Sequence, residues 1–358
     1  MISMTPRKHI PLSLTLLTPA VAIFLTLAVG AGIFGLLGFS PLGSLYTFFV
    51  APISRPDQIG DLFVKACPLI ITATGLVFCF RANVWNIGAE GQLVFGAIFS
   101  GWVALSFPDW PAITLMPAMV LASIIGGICW AMIPALLKVR FNTNEILVSL
   151  MLTYVAALFI DWLVRGPWRD PMSFGFPLTK MYSDAGLIHR IDVPFVGSLG
   201  QLHWGVAGAL LLAIAGSFVL SRTILGFQIK VMGDAPRAGR FAGFKPHLVT
   251  VGVMAIAGGA AGLAGMVEVS ASVGQLQPNV SFGYGFTAII VAFLGRLHPV
   301  GILLAGLLMA LTYIGGELAQ LMLGLPGASI QLFQGMLLFF LLATDVFTNF
   351  RIRLGEAT

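Results

Sequence analysis

The sequence predicts an all-α polytopic membrane protein of about ten transmembrane helices, some of them short or discontinuous. Three observations carry this. Hydrophobic residues make up 58% of the 358 and charged residues only 9%, where a soluble domain carries about 25% charged residues. Mean hydropathy is +0.97. Apolar runs of the roughly 20 residues that a spanning helix needs recur along the whole chain. The net charge of +5 does not point to nucleic acid, because the basic residues are scattered over short connections instead of forming a face or a tail.

Taken in order, the apolar runs place spans near 14–38, 59–80, 88–106, 112–137, 144–164, 203–221, 248–268, 283–295, 299–321 and 328–349. The first follows a basic start. Its length from Leu14 to Gly38 exceeds the apolar core of about 7–15 residues in a secretory signal, so a retained helix is expected. The eighth is too short to cross alone, and short or glycine-interrupted spans suggest discontinuous helices around a solute path. Residues 59–164 and 248–349 each hold about four spans, which leaves room for an internal inverted repeat.

Ten crossings put both termini on one side. That side receives Arg7, Lys8, Arg81, Lys138, Arg140, Arg222, Lys230, Arg237, Arg240, Lys245, Arg296, Arg351 and Arg353. The other receives only Arg55, Lys65, Arg165, Arg169, Lys180 and Arg190. The positive-inside rule then makes both termini cytoplasmic, with the loop 165–202 outside and the loop 222–247 inside. Neither loop is long enough for a folded domain. A single membrane domain over 1–358 is expected, with any ligand-capturing or ATP-hydrolysing domain on another chain. No phosphate-binding loop, zinc-protease or serine-hydrolase motif occurs. Cys67, Cys79 and Cys129 lie in apolar runs and read as buried free thiols. The five histidines (His9, His189, His203, His247 and His298) are scattered at loops and span edges and read as interfacial residues, and no metal or cofactor is expected in this chain.

One stretch breaks the apolar pattern: "NVWNIGAEGQ", residues 83–92. Asn86 can cap a helix starting near Ile87, and Glu90 would fall in its first turn, where the helix dipole favours an acid. Capping leaves Asn83, Gln92 and the glycines unexplained. A broken helix lining a water-filled route accounts for them, since carboxamides bond hydroxyls and base edges in both directions and ionisable groups along a membrane path are functional candidates. Asn142 and Glu145 stand at capping-box spacing before the next helix. Glu268, Gln275, Gln277 and Asn279 read equally as solvated loop or path lining, and Tyr284, between two glycines ahead of a short helix, is a further path candidate. The run "GGAAGLAG" at 258–265 permits close helix packing, within the chain or against a second permease.

The inner loop is amphipathic. Ile229, Met232, Ala238, Phe241 and Phe244 can share an apolar stripe, with Lys230, Arg237 and Arg240 exposed. Gly233–Asp234 and Pro236 should break it into two short helices, with Asp234 as N-cap of the second. By itself such a segment could lie on anionic lipid. However, "LGFQIKVMGDAPRAGRFAGF" resembles the cytoplasmic coupling loop of ABC importer permeases of the simple sugar, nucleoside and branched-chain amino acid branch. Three further segments match the nucleoside permeases of that branch in order: "NVWNIGAEGQLVFGA", "FNTNEILVSLMLTYVA" and "GYGFTAIIVAFLGRLHPVGILLAGLLMA". Trp85 stands where those permeases usually have Phe.

The resemblance implies a permease that translocates nucleosides, or simple sugars, across the cell inner membrane. The path would involve Asn83, Asn86, Glu90, Gln92 and Tyr284. The contact to a separate ATP-binding subunit, where ATP would bind, would use Gly233, Pro236, Ala238, Arg240, Ala242 and Gly243. An extracytoplasmic binding protein and a second permease chain, more often a different one, would complete the assembly within membrane lipid. Branched-chain amino acid import and ion-coupled secondary transport are the alternatives. The scarcity of mid-span acids argues against the second.

Overall fold

The computed structural model describes residues 2–6, 12–191 and 200–354. Arg7, Lys8, His9 and the outer-loop residues 192–199 lie outside the described residues. In chain order the elements are β1 (Ile2–Pro6), α1 (Leu12–Leu36), α2 (Pro41–Phe49), α3 (Pro56–Arg81), α4 (Ala89–Ser106), α5 (Ala112–Phe141) and α6 (Glu145–Arg165). There follow α7 (Trp204–Arg222), α8 (Ile224–Asp234), α9 (Pro236–Phe241), α10 (Pro246–Glu268), α11 (Tyr284–Leu294), α12 (Pro299–Leu323), α13 (Ala328–Asn349) and β2 (Phe350–Leu354). Each of the ten expected spans coincides with a helix. Seven of these helices are long and apolar enough to cross a membrane; α4, α11 and α13 fill the other three positions. The chain is a multi-pass membrane protein.

Two features were not expected. Helix α2 occupies what the apolar runs left as a connection, although Ser40 as N-cap, accepting the Gly43 N–H at 3.3 Å, and Pro41 in the first turn are ordinary start signals. In addition, β1 and β2 form an antiparallel ribbon pairing Ile2 with Leu354 and Pro6 with Phe350.

The chain forms two compact units, Met1–Ile59 with Leu308–Thr358, and Gly60–Leu307. The first is built on phenylalanines. Phe34, Phe48 and Phe333 are buried together, with Phe333 centred 4.7 Å from Phe48 and 5.3 Å from Phe34. Gly315 makes room for the Phe48 backbone, where a Cβ would overlap the carbonyl oxygen.

The second unit has a core of backbones. Helices α4, α5 and α10 cross at Gly96, Gly127 and Gly262, with Gly258 and Gly265 continuing the seam. A Cβ on Gly262 would collide with the Ser123 carbonyl and on Gly265 with the Leu93 carbonyl. The small residues at 258–265 therefore serve packing inside this chain, where close approach substitutes for the weak hydrophobic drive between helices in lipid. Cys67 and Cys79 are buried, as expected, and the Cys79 thiol lies 3.2 Å from the Val253 carbonyl; Cys129 is exposed, a correction to the reading of three buried thiols. Its apolar run is the face of α5 turned away from the core, and neighbouring Ile125 and Ile133 are exposed too.

The outer loop docks on the segment after α10 by backbone bonds: Thr179 N–H to the Leu276 carbonyl at 3.1 Å, Tyr182 N–H to Gly274 at 2.9 Å and Ile188 N–H to Ser270 at 2.9 Å. Burial pushes the Tyr182 phenol far above its usual range. His203 closes the loop and is buried, not interfacial. Its Nδ1 accepts the Gly205 N–H at 3.1 Å and caps α7.

Two predictions follow from this architecture. Gly262→Ala should overpack the α5–α10 crossing at about 1–3 kcal/mol and lower the thermal midpoint of the purified protein. Gly252→Ala, on the same helix with nothing within 4 Å of a new Cβ, should leave it unchanged or raise it; equal effects would refute the packing account. The second concerns pH. Burial lowers His203 from 6.5 to about 4, so its cap is fully stabilising above pH 6.5 and is lost as pH falls toward 4. Amide exchange at the start of α7 should rise over that window, and His203→Asn, which keeps a capping acceptor without the titration, should abolish the rise.

Candidate functional site

The polar stretch lies where α3 ends and α4 begins. After Arg81 the chain reverses through Asn83 in the left-handed region (φ 56°), which asparagine tolerates better than other side chains. Two backbone donors of the connection find side chains. Ile87 N–H reaches the Ser149 hydroxyl at 3.2 Å and Gly88 N–H reaches Asn86 Oδ1 at 3.1 Å. Asn86 and Gln92 face each other. Asn86 Nδ2 donates to Gln92 Oε1 and Gln92 Nε2 donates to Asn86 Oδ1, both at 3.0 Å, with both residues at most 1% exposed. Helix α4 starts at Ala89, with Gly88 as N-cap, two residues later than the expected start. Asn86 therefore closes the turn ahead of the helix and pairs with Gln92 instead of capping.

Glu90 stands in the first turn of α4, as expected, but its carboxylate is turned to another helix. Oε2 accepts the Gly285 N–H at 2.6 Å and Oε1 the Gly283 N–H at 3.2 Å. These are orphan donors at the start of α11, where the dipole favours a negative charge. At 2.6 Å the first of these is at the short end for an N–H···O bond. Approach this close needs Gly285, because a Cβ there would overlap the Glu90 backbone. Tyr284 is fully buried at this contact, and its N–H bonds the Ser281 hydroxyl at 3.1 Å.

The far end of α11 is held by the same connection. Arg81 donates from Nε and Nη2 to the Leu297 carbonyl at 3.2 and 2.8 Å. Phe293 stacks on Phe80 and Trp85 at 4.9 and 5.8 Å between ring centroids. At eleven residues, α11 is about 16 Å long, roughly half a bilayer core. It is a half-helix clamped at both ends by residues 80–92, with its N-terminus facing that of α4.

With this geometry in view, comparison with known proteins is decisive. Residues 58–342 match the family described as branched-chain amino acid transport system / permease component. The chain belongs to this permease family. It is 33% identical to the glucose ABC transporter permease protein TsgB13 of Haloferax volcanii, over 98% of this chain and 93% of that protein. It is 30% identical to the guanosine ABC transporter permease protein NupP of Bacillus subtilis, over 91% of this chain and 92% of that one. With the nucleoside ABC transporter permease protein NupB of Lactococcus lactis it shares 28% over 91% and 90%. The chain is a transport component, the permease of an ABC importer.

In this permease the inner loop forms two helices, as expected. Pro236 opens α9, but its N-cap is Ala235 and makes no side-chain bond; Asp234 is the last residue of α8 and caps nothing, because α8 runs up to the proline. The expected apolar stripe does not form either. Ile229 and Met232 are buried, yet Ala238 is exposed and Phe241 is 95% exposed, since the break at Ala235 takes α9 out of register with α8. Arg240, Ala242 and Gly243 are exposed as well. Gly243 ends α9 in the left-handed region (φ 84°), which suits glycine. Gly233 lies against the Arg81 carbonyl, with no room for a Cβ.

Asn83 parts company with Asn86, Glu90 and Gln92. It lines a polar cavity of about 560 Å³ with Phe80, Arg81, Lys230, Gly233, Asp234 and Leu297, and its Oδ1 accepts the Trp85 indole N–H at 3.2 Å. The capping box at Asn142 and Glu145 is also corrected. Asn142 is the left-handed C-cap of α5, and Asn144 caps α6, accepting the Ile146 N–H at 2.9 Å. Glu145 instead pairs with Lys138 and receives the Trp85 N–H at 3.5 Å. Sequence reasoning passed over Arg81 and Gly285; the G-Y-G spacing was the one available sign of a close approach there.

The Asn86–Gln92 pair gives a test. Asn86→Leu or Gln92→Leu alone strands a buried carboxamide, at about 1–3 kcal/mol, whereas losing both partners together costs far less than the sum. Thermal unfolding of the two single variants and the double variant should therefore show strong non-additivity, and additive losses would refute the pairing.

Proposed function

We propose that this chain is the membrane permease of an ATP-driven importer for nucleosides, with simple sugars as the second class, in the cytoplasmic membrane with both termini inside. One observation carries the choice of solute. An open half-helix N-terminus suits an anionic group such as an amino acid carboxylate. Here the start of α11 already holds the Glu90 carboxylate, so the junction disfavours a second anion and suits a neutral solute. The glucose, guanosine and nucleoside permeases with which the chain aligns over nearly its whole length support the same reading. Asn86, Glu90, Gln92 and Tyr284 then act on the path mainly by fixing the α4–α11 junction that borders it, and Asn83 by holding Trp85 against the far end of α11. Reconstituted with its partners, the transporter should take up guanosine or glucose and not leucine; leucine uptake alone would overturn the choice.

The permease family works with an ATP-binding subunit and a substrate-binding protein, and in our reading α9 is the seat of the former. ATP is bound and hydrolysed on that subunit, and a second permease chain completes the path. Pro236, Ala238, Ala242 and Gly243 present small residues around exposed Phe241, with the Arg240 cation beside them, and Gly233 seats the preceding helix on Arg81. Exposed aromatics that fill a partner's pocket often carry 2 kcal/mol or more, about 30-fold in affinity. Phe241→Ala should accordingly reduce copurification of the ATP-binding subunit by roughly that factor while the permease still inserts. Unchanged copurification would remove α9 as the seat.

A further inference from the structure

Two residues that neither the motifs nor the relatives assign, Lys65 and Phe282, gather on Tyr284 at this junction. Lys65 lies nine residues into α3, within the stretch Gln58–Arg81 that is long and apolar enough to cross a membrane. A cation there is costly and marks a functional position by default. Its ammonium lies 5.6 Å from the centre of the Phe282 ring and 5.7 Å from that of Tyr284. The rings meet edge-on, 6.3 Å apart. They come from either side of Gly283, whose left-handed backbone (φ 85°) lets the two flanking aromatic side chains converge, and a Cβ at Gly283 would meet nothing within 4 Å. Tyr284 is sealed in the core but Phe282 is 56% exposed. The place therefore offers an ammonium donor, one open aromatic face and bare backbone beside open space. All three lie at the start of the half-helix that Glu90 fixes.

We propose that Lys65, Phe282 and Tyr284 form a solute-contact site of the permease. Phe282 supplies a stacking face, Lys65 donates to hydroxyl or carbonyl oxygens, and Tyr284 orients the lysine from beneath. The chemistry it takes is a neutral, hydroxyl-bearing solute with one flat or apolar face. A nucleobase on its ribose and a pyranose ring both present that chemistry. The aromatic face gives small anions nothing to stack on, and the helix-start donors that could hold one are taken by Glu90. The proposal rests on the permease reading above and assigns residues which that reading leaves open.

The test uses the complete transporter in proteoliposomes, with labelled guanosine, glucose and leucine as separate arms. For whichever of the first two the wild type transports, Phe282→Leu and Lys65→Met should each raise KM about tenfold, the equivalent of one lost aromatic stack, with the ATP-binding subunit still bound. Lys65→Arg should restore the charge but not the full KM, because a planar guanidinium does not replace a compact ammonium. A second readout is independent of turnover. In a Cys129→Ser background, Phe282→Cys should be alkylated by a small maleimide and protected by the transported solute. KM values unchanged in all three variants, or alkylation indifferent to solute, would overturn the proposal and leave Lys65 a structural anchor. Wild-type uptake of leucine alone would instead overturn the neutral-solute reading, and the site with it.

Discussion

The bond from Glu90 to the start of α11 is the constraint around which the membrane unit is arranged. A half-helix starts inside the apolar layer with donors that have no helical partner, and each left unsatisfied among apolar groups costs several kcal/mol. A carboxylate buried alone would cost more still. Brought together at 2.6 and 3.2 Å, each lowers the other's penalty, which ties the start of α4 to the start of α11. The arrangement also accounts for Gly285, since only a residue without Cβ lets the Glu90 backbone lie against α11.

Such a junction holds its geometry only if the helices behind it are stiff. The glycine seam provides this. Where Gly96, Gly127 and Gly262 meet, backbone rests on backbone, with no side chain to change rotamer. The connection leading into α4 is fixed in the same spirit. Asn86 and Gln92 use their hydrogen-bonding groups on each other and on Gly88, which explains why carboxamides occupy a place where leucine would be cheaper in lipid. A leucine could bury its side chain there but could not satisfy a turn whose N–H groups have no helical partner.

Much of this fold is legible in the residues because length and hydropathy act locally. Each of the ten apolar runs became a helix, and Pro236 opens α9 where a proline is best tolerated. What escaped detection depends on long-range partners. Glu90 was recognisable as a first-turn acid, but the donors it meets lie 193 and 195 residues away, and nothing near it in the chain encodes them. Asn142 and Asn144 show the same limit at short range. Two asparagines stood within reach of one helix start, and the closing of α5 took the first, leaving the cap to the second. The inner loop misled through periodicity. A stripe over residues 229–244 assumes one helix, and the single non-helical residue Ala235 was enough to turn Phe241 away from the others.

The same contacts connect the inner loop to the junction in few steps. The end of α8 lies against the Arg81 carbonyl at Gly233, and the Arg81 guanidinium holds the Leu297 carbonyl by two donors. Arg296 and Leu297 both sit in the left-handed region, a strained turn that survives only while its surroundings hold it. From there α11 runs back to Glu90, about 16 Å away. Because the segment 80–92 grips α11 at both ends, the half-helix cannot tilt relative to α3 and α4 without breaking a Glu90 bond, a two-donor bond or an aromatic stack. On the reading that a partner subunit seats on α8 and α9, their displacement would be delivered to the 80–92 connection and α11 as one body. On the site proposed above, Lys65 and Phe282 beside the N-terminus of α11 are where that motion would change what a solute meets.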